Sequence, residues 1–264
     1  MPGPTGVRLS AEVAVNAVVE LSRTSFDAVV MDLDGVVTDT ASLHEMAWKR
    51  LFDGFLSTLE PSQGADHRPF GKQDYLRFVD GMPRYDGAAG FLTSRGIAAP
   101  PETVRALAAQ KDSYFRELMD QEGVNLIPGA LALLTALRRA GFRTAIVSAS
   151  RNCSAVLNRA ALTDYFDAGV DGIVAAELGL PGKPAPAVYL EAAGRLRTSP
   201  DRAVVIEDAL AGVEAGRAGG FRLVVGVGRD THAQDLLQHG ADVTVPDLDA
   251  VGVASPSAME GHRA

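Results

Sequence analysis

Four short apolar runs, each closed by a polar or turn-forming segment and separated by stretches of helical period, constrain this chain most. They are Phe26–Met31, closed by Asp32-Leu33-Asp34-Gly35; Thr144–Val147, closed by Ser148; Ala203–Ile206, closed by Glu207-Asp208; and Leu223–Val227, closed by Gly228. Apart from Asp27 and Thr144 near their starts, the runs are apolar rather than alternating, which is the pattern of strands covered on both faces in a parallel sheet. Ile173–Ala175 is a weaker run, and Val243–Val245 reads as a last edge strand. Helices are expected at Ala130–Ala140, stopped by Gly141, at Ala187–Leu196, and at Ala209–Ala218, stopped by Gly219-Gly220. Such alternation builds βαβ units, so the fold class is α/β with a doubly wound parallel sheet. Ahead of it, residues 1–25 read as a loose start and a short helix over Ala11–Leu21.

Residues 41–124 break this rhythm, with helical patterns and no convincing strand. His44, Trp48, Leu51, Phe52 and Phe55 share one helical face, Pro61–Gly71 is polar and irregular, Asp74–Val79 and Ala88–Leu92 are short helical pieces, and Thr103–Met119 is a longer one. The simplest reading is an all-helical cap inserted after the first strand, with residues 1–40 and 125–264 forming the α/β core.

The chain's 264 residues, 47% of them hydrophobic, suffice for one large domain or two smaller ones. A net charge of −8 argues against nucleic acid as the main partner. The single cysteine, Cys153, excludes an internal disulfide and a cysteine-based zinc cluster, and it suits a reducing compartment. No stretch is long and apolar enough to span a bilayer. Asn16 interrupts the apolar run between Glu12 and Glu20, which makes a poor signal-peptide core. The expectation is a cytoplasmic protein without membrane or nucleic-acid partners, with a monomer as the default.

The polar residues that follow the apolar runs carry the chemistry. In an open parallel sheet, ligands bind outside the carboxyl ends of the strands, so Asp32, Asp34, Ser148, Glu207 and Asp208 are expected to converge. Four carboxylates would repel one another without a cation, and carboxylates with a free coordination position suit magnesium, which keeps waters and accepts phosphate oxygen. Lys183, between Gly182 and Pro184, can neutralise a further negative charge. Carboxylates, magnesium and a lysine together suit phosphoryl transfer.

Asp32-Leu33-Asp34-Gly35-Val36-Val37-Thr38-Asp39-Thr40 resembles the first signature of the haloacid dehalogenase superfamily. Ser148 resembles the second, Lys183 the third and Glu207-Asp208 the fourth, in order along the chain. Finer matches are similar to the β-phosphoglucomutase-like branch: Thr40, His44 and Trp48; Ser148-Ala149-Ser150-Arg151-Asn152; Gly182-Lys183-Pro184-Ala185-Pro186; Glu207 to Gly212; and Gly81-Met82-Pro83-Arg84 in the cap.

The resemblance implies a Rossmann-like core with a helical cap and an aspartyl-phosphate mechanism. Asp32 would be the nucleophile and Asp34 the general acid and base. Magnesium would bind Asp32, the Asp34 backbone carbonyl, Asp208 and, directly or through water, Glu207. Ser148 and Lys183, with the Ala149 backbone, would hold the transferring phosphate, and Arg84 would grip a second, non-transferring phosphate, for which a planar guanidinium is suited. Arg151 and Asn152 would line the sugar site, together with Thr40, His44, Trp48, Gly81 and Lys111. The implied activity is conversion of β-glucose 1-phosphate into glucose 6-phosphate through a bisphosphate. The alternative is a magnesium-dependent sugar-phosphate phosphatase using the same nucleophile. Pro83 departs from the branch, which has a small hydroxyl residue there, and the Pro61–Gly71 stretch and the N-terminal extension are extra.

Bland readings compete at several positions. Asp39 suits a helix cap, and Trp48 suits core packing. His44 is balanced between the core and the cleft. Lys111 falls within the apolar stripe of Val104, Leu107, Ala108, Phe115 and Leu118, so it either snorkels to water or faces the cleft, and the cleft is favoured. Cys153 is expected to be buried and inert. A dehalogenase would need neither Asp34 nor the metal carboxylates, and a non-catalytic binding protein predicts a missing nucleophile or ligand, which this sequence does not have.

Overall fold

A computed structural model describes residues 15, 17–60 and 65–254. Six parallel strands form the central sheet: β2 (Ala28–Asp32), β3 (Arg143–Val147), β4 (Ala168–Val170), β5 (Ala203–Glu207), β6 (Leu223–Val227) and β7 (Val243–Val245). Their spatial order is β4-β3-β2-β5-β6-β7. Counted from β2, this is the 3-2-1-4-5-6 order of a Rossmann-like sheet, whose direction of winding reverses beside β2. The continuous apolar runs find the environment they require. Val29, Met31, Ile146 and Ile206 pack on one face with α5 (Ala130–Arg139) and α6 (Cys153–Arg159). Ala28, Val30, Ala145, Val147 and Val205 pack on the other face with α8 (Ala187–Arg195), α9 (Leu210–Ala218) and α10 (Asp230–Gln238).

Two sequence expectations are corrected here. Of the expected helix over Ala11–Leu21, residues 11–14 and 16 lie outside the described residues, and Val19–Leu21 is a strand, β1, paired in parallel with β8 (Val251–Val253). Its burial alternates, with Val19 and Leu21 inside and Glu20 outside, which is a strand period. Ile173–Ala175 is not a strand but part of α7 (Gly172–Glu177). The Asp171 carboxylate accepts the backbone N–H groups of Ile173 and Val174, both at 2.9 Å, and so starts a helix just after the edge strand β4.

Between β2 and β3 lie α1 (Thr40–Leu56), α2 (Lys72–Asp74), a π turn over Tyr75–Val79, α3 (Arg84–Ser94) and α4 (Pro101–Glu122). They carry a hydrophobic cluster of their own, with Trp48, Phe52, Phe70, Phe91 and Leu92 at its centre. Phe52 stacks on Trp48 at 5.1 Å and meets Phe91 at 4.1 Å. Among the described residues, no helix is long and apolar enough to cross a membrane.

Candidate active site

β2, β3 and β5 lie side by side, with Asp32 opposite Val147 and Met31 opposite Ile206, so Asp32, Ser148 and Glu207 leave the sheet along one edge. The chain turns sharply after β2. Gly35 has a φ of 104° and donates its N–H to the Thr38 carbonyl at 2.8 Å. A Cβ at Gly35 would stand 1.9 Å from Asp208 Oδ2, so only glycine lets that carboxylate lie against the turn. The turn returns Asp34 to the cleft, where its backbone N–H donates to Asp32 Oδ2 at 2.8 Å.

Lys183 is buried with its ammonium between Asp32 Oδ1 and Glu207 Oε1. Burial, with help from the charges of Glu207 and Asp34, lifts the Asp32 carboxyl to about 8 even though Lys183 pulls the other way. Glu207, expected to meet magnesium directly or through water, pairs with Lys183. It is wholly buried, Oε1 also accepts the Tyr189 hydroxyl at 2.7 Å, and Oε2 accepts the backbone N–H groups of Asp208 and Ala209 at 2.8 Å each. The carboxylate sits over Gly212, where a Cβ would stand 1.7 Å from it. With its oxygens engaged this way, Glu207 is the counter-charge of Lys183.

Asp34 is held by hydroxyls on both oxygens. Thr40 donates to Oδ1 at 2.6 Å and Ser148 to Oδ2 at 2.8 Å. His44 Nε2 stands 3.3 Å from Oδ1, off the line of a good hydrogen bond. Burial alone would raise the Asp34 carboxyl, but His44 and the two hydroxyls outweigh it and hold the group well below its usual range. Ser148, expected to hold phosphate, thus also positions the expected acid and base. Asp39 occupies the cap position of α1, but its side chain makes no capping bond, while Thr40 is part of the site.

Lys111 faces the cleft, as favoured from the sequence. It touches His44 Nδ1 and lies 5.1 Å above both the Trp48 and Phe115 rings. Burial pushes its ammonium down to about 7, and burial together with Lys111 also lowers the imidazole of His44. Trp48 both packs in the helical core and lines the cleft. A lysine with a lowered folded pKa binds fewer protons folded than unfolded between about 7 and 10.5, so its burial costs stability most below that window. Lys111→Met is therefore expected to raise the melting temperature more at pH 6.5 than at pH 10, at roughly 2–4 °C per kcal/mol recovered. A gain independent of pH would show that Lys111 is not a buried cation.

Lining the same cavity as Asp32, Arg84 of α3 pairs with Asp112 of α4, which also pairs with Arg116 and accepts the Asn152 amide at 2.8 Å. Ala149 lines the cavity, and so does Arg151, which is exposed. Gly81 packs on Ala209, where a Cβ would stand 3.0 Å from the Ala209 methyl. Pro83 is seated on Gly182, where a Cβ would fall 2.2 Å from the proline ring. This divergent cap residue therefore docks the helical insertion onto the loop that carries Lys183. Gly182→Ala is expected to lower kcat/KM by about 10–10²-fold, the scale of misplaced catalytic groups, with little change in melting temperature. Unaltered kinetics would mean that the seat does not set the closed geometry.

The cavity between these groups has a volume of about 50 Å³, room for a few waters. Among the described residues, no three His, Cys, Asp or Glu side chains form a ready metal cage. The donor set still fits a hard cation that keeps much of its water. Burial and the like charges of Asp80, Glu207 and Asp32 raise the Asp208 carboxyl strongly, and among the described residues Asp208 has no ion-pair partner.

Asp112, Asp80 and Tyr189 went unread in the sequence. Asp112 had a signal: it completes the buried stripe Val104, Leu107, Ala108, Lys111, Phe115, Met119, where two adjacent charged residues are out of place. Asp80 lines the same cavity from the cap loop, and burial, against the pull of the Tyr75 hydroxyl, lifts its carboxyl to about 7. Tyr189 lies within the expected helix over Ala187–Leu196, and its bond to Glu207 crosses between β5 and α8.

Comparison with known proteins agrees with this geometry. The profile of the haloacid dehalogenase-like hydrolase family matches residues 26–220. A β-phosphoglucomutase of Mycobacterium bovis is 43% identical over 234 residues, covering 84% of this chain and 89% of that protein. One from Bacillus subtilis is 33% identical over 225 residues, covering 83% and 88%. The crystal structure of a β-phosphoglucomutase from Clostridium difficile superposes with a TM-score of 0.69 at 27% identity, covering 85% of this chain and 92% of that one. The signatures at the strand ends, the order of the sheet and these relatives agree, and the chain belongs to the haloacid dehalogenase-like hydrolase family, within its β-phosphoglucomutase-like branch.

Proposed function

We propose that the protein is a phosphomutase that converts β-glucose 1-phosphate into glucose 6-phosphate. One observation carries this reading: two sets of anion-holding groups meet at one cavity. Lys183 pairs with Asp32, which lines the cavity beside Asp34, and Arg84 and Asn152 line it as a second set. A hydrolase needs only the first set. A mutase must hold a phosphate at each end of the sugar and must keep water away from its phosphoenzyme, which a closing cap does. The names carried by the Mycobacterium and Bacillus relatives support the same choice.

In this mechanism phosphorylated Asp32 transfers its phosphoryl group to the sugar 6-hydroxyl, and Asp34 takes the hydroxyl proton. The resulting bisphosphate turns end for end. Asp32 then attacks the phosphorus at C1, the bond to the sugar oxygen breaks, and Asp34 returns the proton to that oxygen. Lys183 and Ser148 hold the transferring group, and Arg84 holds the other phosphate in either orientation. Asp32, the Asp34 backbone carbonyl and Asp208 would hold magnesium, which supplies charge neutralisation at the phosphoryl oxygens. Glu207 keeps Lys183 charged and in place.

Phosphorus NMR of the enzyme with magnesium, β-glucose 1-phosphate and a trace of glucose 1,6-bisphosphate tests this. Growth of glucose 6-phosphate without inorganic phosphate is the expected result. Inorganic phosphate alone would identify a sugar-phosphate phosphatase instead.

A further inference from the structure

The Arg84 and Asn152 groups that line the cavity already hold an anion of the protein itself. Asp112 is a buried aspartate: its side chain is 11% exposed and three side-chain donors converge on it. Arg84 and the Asn152 amide share Oδ1, while Arg116 takes Oδ2. Burial pushes the Asp112 carboxyl upward, but the Asn152 bond and the two guanidinium groups outweigh it, so the group stays ionised. Guanidinium and amide donors in this arrangement bind a carboxylate or a phosphate with the same geometry.

We propose that Asp112 is an internal ligand of the distal-phosphate site, and that the phosphate end of a sugar phosphate binds by displacing its carboxylate from Arg84 and Asn152. The inference rests on Arg84 as the clamp for the non-transferring phosphate. It adds a selectivity device that Arg84 alone would not give. An anion must outcompete a carboxylate that is tethered in place, which favours a phosphate dianion over singly charged anions. Asp112 also has somewhere to go. Arg116 lies four residues on along the same helix, is 60% exposed, and already holds Oδ2, so it can keep the carboxylate once the other two donors leave. Arg84 and Asp112 belong to the helical insertion and Asn152 to the core, so the exchange replaces one bridge across the cleft with another.

The test is calorimetric binding of glucose 6-phosphate to the magnesium-loaded enzyme, with beryllium trifluoride occupying Asp32. Asp112→Asn keeps the shape and the bond to Asn152 but removes the competing charge. It is expected to bind about tenfold tighter than wild type, because like charges facing one another at a binding site are strongly unfavourable. Asp112→Ser gives the same reading should the amide variant fail to fold. Equal or weaker binding in the folded variant would overturn the proposal, because Asp112 would then serve to aim Arg84. Arg84→Gln is the separate control, expected to weaken binding at least tenfold. Wild-type affinity in that variant would overturn the distal-phosphate reading itself, whatever Asp112 does.

Discussion

Asp32→Asn is expected to remove turnover by on the order of 10⁴-fold or more, the scale seen when a covalent nucleophile is lost. The amide cannot form the acyl phosphate, and it places an NH₂ group where Oδ1 now meets the Lys183 ammonium or Oδ2 accepts the Asp34 N–H. The protein should still fold, because the side chain keeps its volume at the end of β2, where the strand register is set by backbone bonds to β3 and β5. Phosphorus NMR of the variant should show neither a phosphoenzyme nor product. Full turnover would remove Asp32 from the nucleophile's role. A hydrolase and a mutase both predict this loss, so it tests the shared chemistry rather than the choice between them.

Lys183→Met is expected to be the most damaging change to stability as well as a severe one for catalysis. Its ammonium is almost fully buried between two carboxylates, and Glu207 is wholly buried. Removing one partner of a buried ion pair leaves an uncompensated charge and costs about 3–5 kcal/mol. For a chain of this size that is a fall in melting temperature on the order of 10 °C. The deficit should depend on pH. Without the lysine, nothing opposes the burial that already raises the Asp32 carboxyl, so the folded state binds more protons than the unfolded one and stability falls as pH rises. The gap from wild type should therefore be wider at pH 8 than at pH 5. A deficit of the same size at both would mean that lost packing, not charge, explains it.

The line between what was legible and what was not runs through particular residues. Gly35 and the two aspartates beside it were readable because a parallel strand must end in a turn and because ligands gather at strand ends. Lys111 was readable as an anomaly, a cation in an apolar stripe. The pairing of Glu207 with Lys183 was not legible, because a carboxylate beside Asp208 looks the same in sequence whether it faces the cleft or a lysine behind it. The missing information was Tyr189 and the space above Gly212, which belong to two other helices. Asp112 was overlooked because its partners Arg84 and Asn152 are 28 and 40 positions away along the chain. β1 was misread because three residues carry too little periodicity to oppose a helical reading, and its partner β8 lies at the far end of the chain.

Local chemistry written along the chain thus determined the α/β class, the inserted helices and the strand-end carboxylates, lysine and serine, because hydrophobic period and turn residues act over a few positions. Tertiary structure alone decided which carboxylates turn toward the cleft, that Ser148 holds Asp34, that Pro83 docks on Gly182 and that Asp112 engages Arg84 and Asn152. Those choices depend on hydrogen bonds and ion pairs between segments far apart in sequence, where a side chain's direction is set by the partner that packing brings within reach.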